Sequence, residues 1–520
     1  MNKIISCQEL ATLVASDGLF AVFDVRERGE YNDCQIPNTT SLPRSQIEFR
    51  IAELLPSRSI PVVVYDEGGK RAEVAAETLT HLGYGQVSIL DGGLTAWRNE
   101  GREIVSGVNV PSKAFGEHVH HDRNVPDLAP EELKNLIDSN AELTILDVRT
   151  PEEFGRFCIP GGLNVPGGDL ILWADELRHK PTVIVNCAGR TRSIIGTAAL
   201  WRLGLTNVRA LRNGTMGWLL AGFQLETRPL RRGPVANSDS RVRALTTALS
   251  IAAEEKLTWI TVEDFDRLIK ESRATVAYLI DVRSEDEFAA AHIAGSINVP
   301  GGQAVQRADD FVPVRNAEIV FISNQSARAV MAAFWYRQMG FKQVRVLEGG
   351  LEAWQASGQG LVAGISMAEP SSFSAAQRST QYIDGAKLQN HIDSGSYTVL
   401  DVSTSLEHET AHVPGAKWIS RGWIDIKLPE LIADRAQKII LTCRDGRQST
   451  FAAQQLARVG FANISVLVDG VRGWTAAGYP TDSGLRDALT PANDVVLSPS
   501  IRGNKEDMQK YLDWELTLKH

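Results

Sequence analysis

The sequence predicts an α/β protein of four similar domains, each with a small, mainly parallel sheet flanked by helices. Two observations lead to this fold class. The chain has 520 residues, which is too long for one hydrophobic core. One pattern of strands, helices and glycine-rich turns also occurs four times along the chain. The predicted domains span 4–105, 125–228, 257–362 and 376–482, and residues 483–520 follow as a C-terminal arm.

Each repeat begins with a short apolar run that ends in Asp-Val, followed in three repeats by Arg. These runs end at Asp24, Asp147, Asp281 and Asp401. An acidic-aromatic pair follows each run, with Glu407-His408 as the weakest copy. Each repeat closes on a glycine-rich turn and a tryptophan, at Trp97, Trp218, Trp354 and Trp474. We expect the Asp and Arg to form a structural ion pair or turn, and the tryptophans to anchor the cores.

The spacing of the repeats indicates a duplication. Asp24 and Asp281 are separated by the same number of residues as Trp97 and Trp354. The first two domains together therefore look like a copy of the last two. The extra residues between the copies fall in 231–256, a Ser-, Ala- and Arg-rich segment that we interpret as a linker.

Strands and helices alternate within each repeat. Residues 182–186 and 438–442 are rich in Val and Ile without strict alternation, which is typical of strands buried on both faces. Apolar residues recur every three to four positions in 193–204, which predicts a helix that Gly204 ends. This alternation favours a parallel sheet with helices on both faces, and an α+β arrangement is the alternative.

The loop after the buried strand is the predicted active site, because ligands of open α/β sheets bind at the carboxyl ends of strands. When the repeats are aligned on the glycine that ends the following helix, one loop position holds Asp66, Cys187, Ser323 or Cys443. Two of five cysteines in these four positions is more than chance predicts. We therefore interpret Cys187 and Cys443 as catalytic nucleophiles. The predicted substrate-binding residues are Arg190, Arg192 and Ser193 in one loop, and Arg444, Arg447 and Ser449 in the other.

A thiol in this position has physical reasons to be reactive. Loop N–H groups, the dipole of the following helix and the nearby arginines all favour a thiolate, which is the nucleophilic form. The same groups would hold an anionic persulfide and attract an anionic sulfur donor. We therefore expect both thiols to ionise more readily than free cysteine.

These motifs resemble the rhodanese family over nearly the whole chain. The resemblance implies that the loop cysteine takes a sulfane sulfur from a small anionic donor, becomes a persulfide, and passes the sulfur to cyanide or a thiol. Thiosulfate is the expected donor, with mercaptopyruvate and glutathione persulfide as alternatives. Asp66 and Ser323 cannot form a persulfide, so we expect the first and third domains to be inactive partners that support the active loops. No cofactor and no metal are expected.

Two other functions were weighed against this one. A cysteine phosphatase needs an arginine six residues after the cysteine, where this chain has Ser193 or Ser449. A non-catalytic binding module fits the first and third domains, but the other two keep both the cysteine and the basic loop.

Composition and sequence pattern predict the location of the protein and exclude some classes of partner. The net charge of −9 argues against a nucleic-acid partner, and no apolar run is long enough to span a membrane. Polar residues at positions 8 and 9 interrupt any secretory signal, so a cytoplasmic location is predicted. Cys158 is expected to be a packing residue, and the histidines at 118, 120 and 121 to be solvated. The arm is expected to pack on the domains or on a second copy, which leaves a homodimer open.

Overall fold

A computed structural model describes residues 3–233, 236–271, 276–365, 369–395 and 397–518. Small parts of the predicted linker, the third and fourth domains and the arm lie outside these ranges. The predicted α/β class is confirmed: four five-stranded sheets are parallel throughout and share one strand order. In each, the first strand lies at an edge, and the fifth, fourth, second and third strands follow across the sheet. This order places the loop after the fourth strand in the middle of the sheet.

The first domain begins with a short strand. Its strands are Lys3–Ile5, Ala21–Asp24, Thr40–Ser41, Val62–Tyr65 and Val87–Leu90. Its helices are Cys7–Val14, Arg28–Asp33, the 3-10 turn Arg44–Gln46, Ile47–Leu54, Arg71–His81 and Gly93–Asn99.

The second domain repeats this order with two additional short strands. Its strands are Asp127–Leu128, Thr144–Asp147, Phe157–Cys158, Leu163–Asn164, Val183–Asn186, Val208–Leu211 and Glu226–Thr227. Its helices are Val110–Asp122, Pro130–Asp138, Pro151–Arg156, the 3-10 turn Gly167–Asp169, Leu170–Arg178, Thr191–Arg202 and Gly214–Leu220. The two additional strands, Phe157–Cys158 and Glu226–Thr227, pair with each other in antiparallel fashion outside the main sheet.

The third domain follows a long helix. Its strands are Thr258–Ile260, Ala277–Asp281, Ile297–Asn298, Glu318–Ile322 and Val344–Leu347. Its helices are Ser238–Glu254, Val262–Glu271, Glu285–Ala290, Gly301–Gln306, Ala308–Phe311, Ala327–Gln338 and Gly350–Ala356.

The fourth domain precedes the C-terminal arm. Its strands are Tyr382–Ile383, Thr398–Asp401, Lys417–Trp418, Ile439–Thr442 and Ile464–Leu467. Its helices are Phe373–Arg378, Gly385–Ser394, Ser405–Thr410, Ile424–Leu431, Arg447–Arg458 and Gly470–Ala476. The arm contributes the helices Pro499–Arg502 and Lys505–Thr517.

The local predictions are confirmed where they depend on neighbouring residues. The strands Val183–Asn186 and Ile439–Thr442 are buried at every position. Gly204 follows its helix with a φ of +84°, a left-handed conformation that favours glycine. All four closing tryptophans are buried, and each donates its indole N–H to a carbonyl six residues later.

The Asp and Arg of the Asp-Val-Arg segments form the predicted buried ion pairs in three domains. The pairs are Asp24–Arg26, Asp147–Arg149 and Asp281–Arg283, each at 2.7 Å. The fourth domain has Ser403 in place of the arginine. There the imidazole Nδ1 of His408 lies 2.8 Å from the Asp401 carboxylate and takes over as its partner. The serine at the arginine position and the histidine at the aromatic position therefore compensate for each other.

The segment interpreted as a linker is more ordered than expected. It contains the 17-residue helix Ser238–Glu254, which buries Ala244, Ala248 and Ile251. Residues at this spacing lie on one helix face, so the helix packs against other elements and does not only connect two domains. Residues 234–235 of the predicted linker lie outside the described residues.

The domains group into two compact units that do not follow sequence order. One unit combines residues 1–108 with 367–496, which are the first and fourth domains. The other combines 109–366 with 497–520, which are the second and third domains and the end of the arm. In the first unit, Arg44 pairs with Asp425 at 2.8 Å. In the second, Arg328 pairs with Asp169 at 2.9 Å. Each domain without a loop cysteine thus lies with the domain of the other sequence copy that has one.

Within the part of the chain that the structure describes, no helix is both long and apolar enough to cross a lipid bilayer.

Candidate active site

The loop of the first domain shows what this element does to an anion. One carboxylate oxygen of Asp66 accepts backbone N–H bonds from Gly68 at 2.8 Å and Gly69 at 2.9 Å. The other oxygen accepts from the backbone N–H groups of Arg71 at 2.9 Å and Ala72 at 3.2 Å. Four converging N–H groups at the start of a helix form an anion cradle. The expected cradle is therefore present, and here a carboxylate occupies it.

The same N–H contact occurs where the other loops carry sulfur or oxygen. The backbone N–H of Ser449 lies 3.4 Å from Cys443 Sγ, and the Ser449 hydroxyl lies at the same distance. In the third domain, the backbone N–H of Ala329 donates to Ser323 Oγ at 3.3 Å. The sulfur of Cys443 thus meets the N–H group that corresponds to one of the four binding the Asp66 carboxylate.

The glycine-rich turn of each repeat packs closely against the backbone of the loop. Gly214 has a φ of +53°, and a Cβ there would lie 2.4 Å from the carbonyl oxygen of Cys187. A Cβ on Gly470, with a φ of +57°, would lie 2.1 Å from the carbonyl oxygen of Cys443. Only glycine allows this approach. This turn is visible in every repeat of the sequence, but its pattern alone does not indicate a part in the site.

The expected low thiol pKa is wrong for both cysteines in the resting structure. Both side chains are 1% exposed, and burial raises the pKa of each thiol because a thiolate loses its hydration. Arg192 and hydrogen bonds to Ser193 act in the opposite direction on Cys187. Hydrogen bonds to Ser449 do so on Cys443. The cradle thus opposes the cost of desolvation without overcoming it.

Both predicted arginines of the Cys187 loop are engaged in ion pairs. Arg190 binds Glu117 at 2.6 Å and Asn213 at 3.0 Å. Arg192 binds Glu153, and the corresponding arginine of two other domains binds the corresponding acid. These pairs are Arg71–Glu30 at 2.5 Å, Arg192–Glu153 at 2.6 Å and Arg328–Glu287 at 2.6 Å. The acidic residue of the repeated acidic-aromatic motif therefore holds the active loop, a role that the sequence did not reveal.

The Cys443 loop has a different set of ion pairs. Gln448 replaces the buried arginine, and Arg444 reaches Glu407 instead, at 3.1 Å. The Arg444 side chain is 65% exposed, so this pair is weak and the guanidinium can turn towards an incoming anion. Arg447 pairs with Asp445 at 2.6 Å at the edge of the loop.

Cys443 opens onto a cavity of about 430 Å³. Four arginines contribute to its lining: Arg421, Arg444, Arg447 and Arg472. The first domain contributes Glu27 and Phe49, so the partner that lacks a loop cysteine forms part of the wall. These wall residues were missed in the sequence analysis, because nothing in the chain links Glu27 to a cysteine more than 400 residues away.

The buried Glu27 in this wall is expected to make the stability of the fold depend on pH. Burial raises its pKa from 4.5 to about 7. Because the pKa of Glu27 is higher in the folded protein than in the unfolded chain, the fold loses stability as pH rises from the unfolded pKa through the folded pKa. Between about pH 4 and about pH 8, we expect the wild type to lose about 3 kcal/mol of unfolding free energy relative to Glu27→Gln.

Urea unfolding of both proteins at several pH values measures this difference. The exposed Glu53→Gln is the control, and its unfolding curves should follow the wild type at every pH. Parallel pH dependence for Glu27→Gln and wild type would show that Glu27 is ionised normally.

The remaining cysteines and histidines lie outside this site. Cys158 is fully buried, in agreement with a packing role, and burial raises its pKa to about 11. His118 and His121 are exposed on the helix Val110–Asp122. Within the described ranges, no group of three or more His, Cys, Asp or Glu residues is arranged to hold a metal ion.

Comparison with known proteins agrees with the four repeats. The family model for the rhodanese-like domain matches residues 6–100, 129–221, 261–357 and 384–477. A crystal structure described as thiosulfate sulfurtransferase from Pseudomonas aeruginosa is similar over 99% of this chain and 97% of its own, with 37% identity and a TM-score of 0.91.

Curated relatives match over single domains. The putative thiosulfate sulfurtransferase SseB of Mycobacterium tuberculosis is 36% identical over 125 residues, which is 22% of this chain. This chain covers 42% of that protein's length. A sulfurtransferase of Allochromatium vinosum is 32% identical over 106 residues, which is 20% of this chain and 97% of that protein.

Proposed function

The chain belongs to the rhodanese-like domain family, and from this premise we propose that it is a sulfurtransferase in which Cys443 carries the transferred sulfur. The observation that carries the proposal is the position of Cys443: its sulfur lies in the anion cradle and opens onto an arginine-lined cavity. The strong overall similarity to a thiosulfate sulfurtransferase supports the same reaction class.

The first step is sulfur uptake. The Cys443 thiolate attacks the outer sulfur of thiosulfate, the S–S bond of the donor breaks, and sulfite leaves with the bonding electron pair. The product is a Cys443 persulfide with a negative terminal sulfur. Because the resting thiol is buried and its pKa is raised, the loop N–H groups and the surrounding arginines have to assist its ionisation.

The second step returns the enzyme to its starting state. Cyanide attacks the terminal sulfur, the S–S bond of the persulfide breaks, and thiocyanate leaves while the electron pair returns to Cys443 Sγ. A thiol acceptor reacts in the same way and leaves as a persulfide. The loop N–H groups stabilise the anion in both steps, as they stabilise the Asp66 carboxylate in the first domain.

The cavity lining combines four arginines with four acidic residues, so two particular arginines, and not its net charge, favour a small, compact anion as donor. Arg444 and Arg447 flank the cysteine and can each meet an oxyanion, so we propose thiosulfate as the donor. Mercaptopyruvate and glutathione persulfide remain the alternatives. We also propose that the protein works in a reducing compartment such as the cytoplasm, because all five cysteines are free thiols.

A comparison of donors tests the proposal. Steady-state transfer to cyanide is measured with thiosulfate, mercaptopyruvate and glutathione persulfide, and hydrolysis of an aryl phosphate is measured in parallel. We expect thiosulfate to give the highest kcat/KM and the aryl phosphate to give no product. Thiosulfate turnover without a mass increase of one sulfur on the Cys443 peptide would contradict the proposed route.

A further inference from the structure

The helix Lys505–Thr517, hereafter the C-terminal helix, lies on the Cys187 loop. Its residues Met508 and Leu512 are buried against Met216, and Ala188 and Tyr511 pack at the edge of this apolar cluster. Leu516, one turn after Leu512, is partly exposed. The end of the arm therefore packs on the second domain, at the residue that follows the cysteine.

The contact reaches the middle of the loop. A Cβ placed on Gly189 would lie 3.2 Å from a carboxylate oxygen of Glu515 and 3.4 Å from the Tyr511 ring. The Thr191 hydroxyl, at the start of the following helix, donates to the other Glu515 oxygen at 3.4 Å. The C-terminal helix thus covers the side of the loop on which an anionic donor would meet the N–H groups.

Glu515 makes this cover unfavourable to an anion. Its side chain is 2% exposed, and its oxygen Oε2 has no hydrogen-bond partner within the described part of the chain. The charge of Glu515 raises the pKa of Cys187, which adds to the effect of burial. A buried carboxylate next to the loop opposes both the thiolate and a persulfide.

A second element, the helix Val110–Asp122, also contacts the C-terminal helix. The Lys113 ammonium, on the helix Val110–Asp122, lies 4.8 Å from the Tyr511 ring centre and 4.7 Å from that of Trp514. Gly503, with a φ of +70°, ends the short helix Pro499–Arg502 and separates it from the C-terminal helix.

We propose that the C-terminal helix is an autoinhibitory cover of the second sulfur site: Cys187 accepts sulfur only when this helix is displaced. The two cysteine loops are then unequal, because Cys443 opens onto a cavity while Cys187 lies under the helix. The part of the inference that concerns sulfur rests on the proposed function, whereas the cover itself does not.

The test uses the full chain carrying Cys443→Ser, so that Cys187 is the only loop cysteine. Met508→Asp with Leu512→Asp places charges in the apolar cluster and releases the helix. Gln509→Asp adds a charge on the exposed face of the same helix and is the matched control. Iodoacetamide labelling of the Cys187 peptide is followed by mass spectrometry, and sulfur uptake from thiosulfate is followed on the same peptide.

We expect the double substitution to accelerate Cys187 labelling by at least about tenfold, while Gln509→Asp leaves the rate unchanged. Glu515→Gln keeps the packing and is expected to increase sulfur uptake more than labelling. Circular dichroism of each variant verifies that the domains remain folded.

Two results separate the cover from the proposed function. If Cys187 and Cys443 of the wild-type chain are labelled at the same rate, the proposed cover is wrong. If the double substitution accelerates labelling but thiosulfate adds no sulfur to Cys187, the cover stands and the assignment of Cys187 as a sulfur carrier fails.

Discussion

Cys443→Ser is expected to lower thiosulfate-dependent thiocyanate formation by the full chain at least about a hundredfold. A serine hydroxyl does not ionise at neutral pH and cannot carry a sulfane sulfur. Cys187 cannot compensate, because its loop lies beneath the C-terminal helix. Steady-state rates and the mass of each loop peptide after thiosulfate treatment measure the effect.

Cys187→Ser is the matched control for that substitution. It changes the equivalent residue of the other active loop, and we expect it to retain most of the wild-type rate. Equal losses from the two substitutions would show that both sites turn over in the resting chain. Full activity of Cys443→Ser would move the reaction away from the arginine-lined cavity altogether.

Asp66→Ala is expected to destabilise the first domain by about 4 kcal/mol. The substitution removes the carboxylate acceptor of four backbone N–H groups, of which those of Arg71 and Ala72 are buried. Because the first domain contributes Glu27 and Phe49 to the wall of the Cys443 cavity, a rise in KM for the donor should accompany the loss of stability. Urea unfolding and donor kinetics measure the two effects.

A graded series distinguishes the cradle from a general packing effect. Asp66→Asn keeps one acceptor oxygen and should cost about half as much as Asp66→Ala. Glu77→Ala, on an exposed position of the following helix, should be close to neutral. If all three substitutions were equally mild, the four N–H bonds would not stabilise the loop.

The sequence correctly predicted the features that depend on residues close together in the chain. Buried strands such as Val183–Asn186 follow from runs of Val and Ile, and the cap at Gly204 follows from a glycine after a periodic segment. The Asp-Val-Arg ion pairs join residues two positions apart, so their pattern repeats with the motif. The loop position of each cysteine follows from the same alignment.

The sequence could not predict which domains pack together. The duplication indicates how the chain is repeated, but the compact units combine the first domain with the fourth and the second with the third. Domain pairing depends on the complementarity of surfaces formed by residues hundreds of positions apart. No local pattern records that complementarity.

The environment of each cysteine was likewise decided only by the tertiary structure. Both loops were predicted to lower the thiol pKa, because helix dipoles and arginines are visible in the sequence, whereas the loss of hydration is not. The sequence by itself determined where Cys187 and Cys443 stand in the fold. The tertiary structure placed a cavity at Cys443 and a helix over Cys187, because burial depends on whatever the rest of the chain brings to the loop.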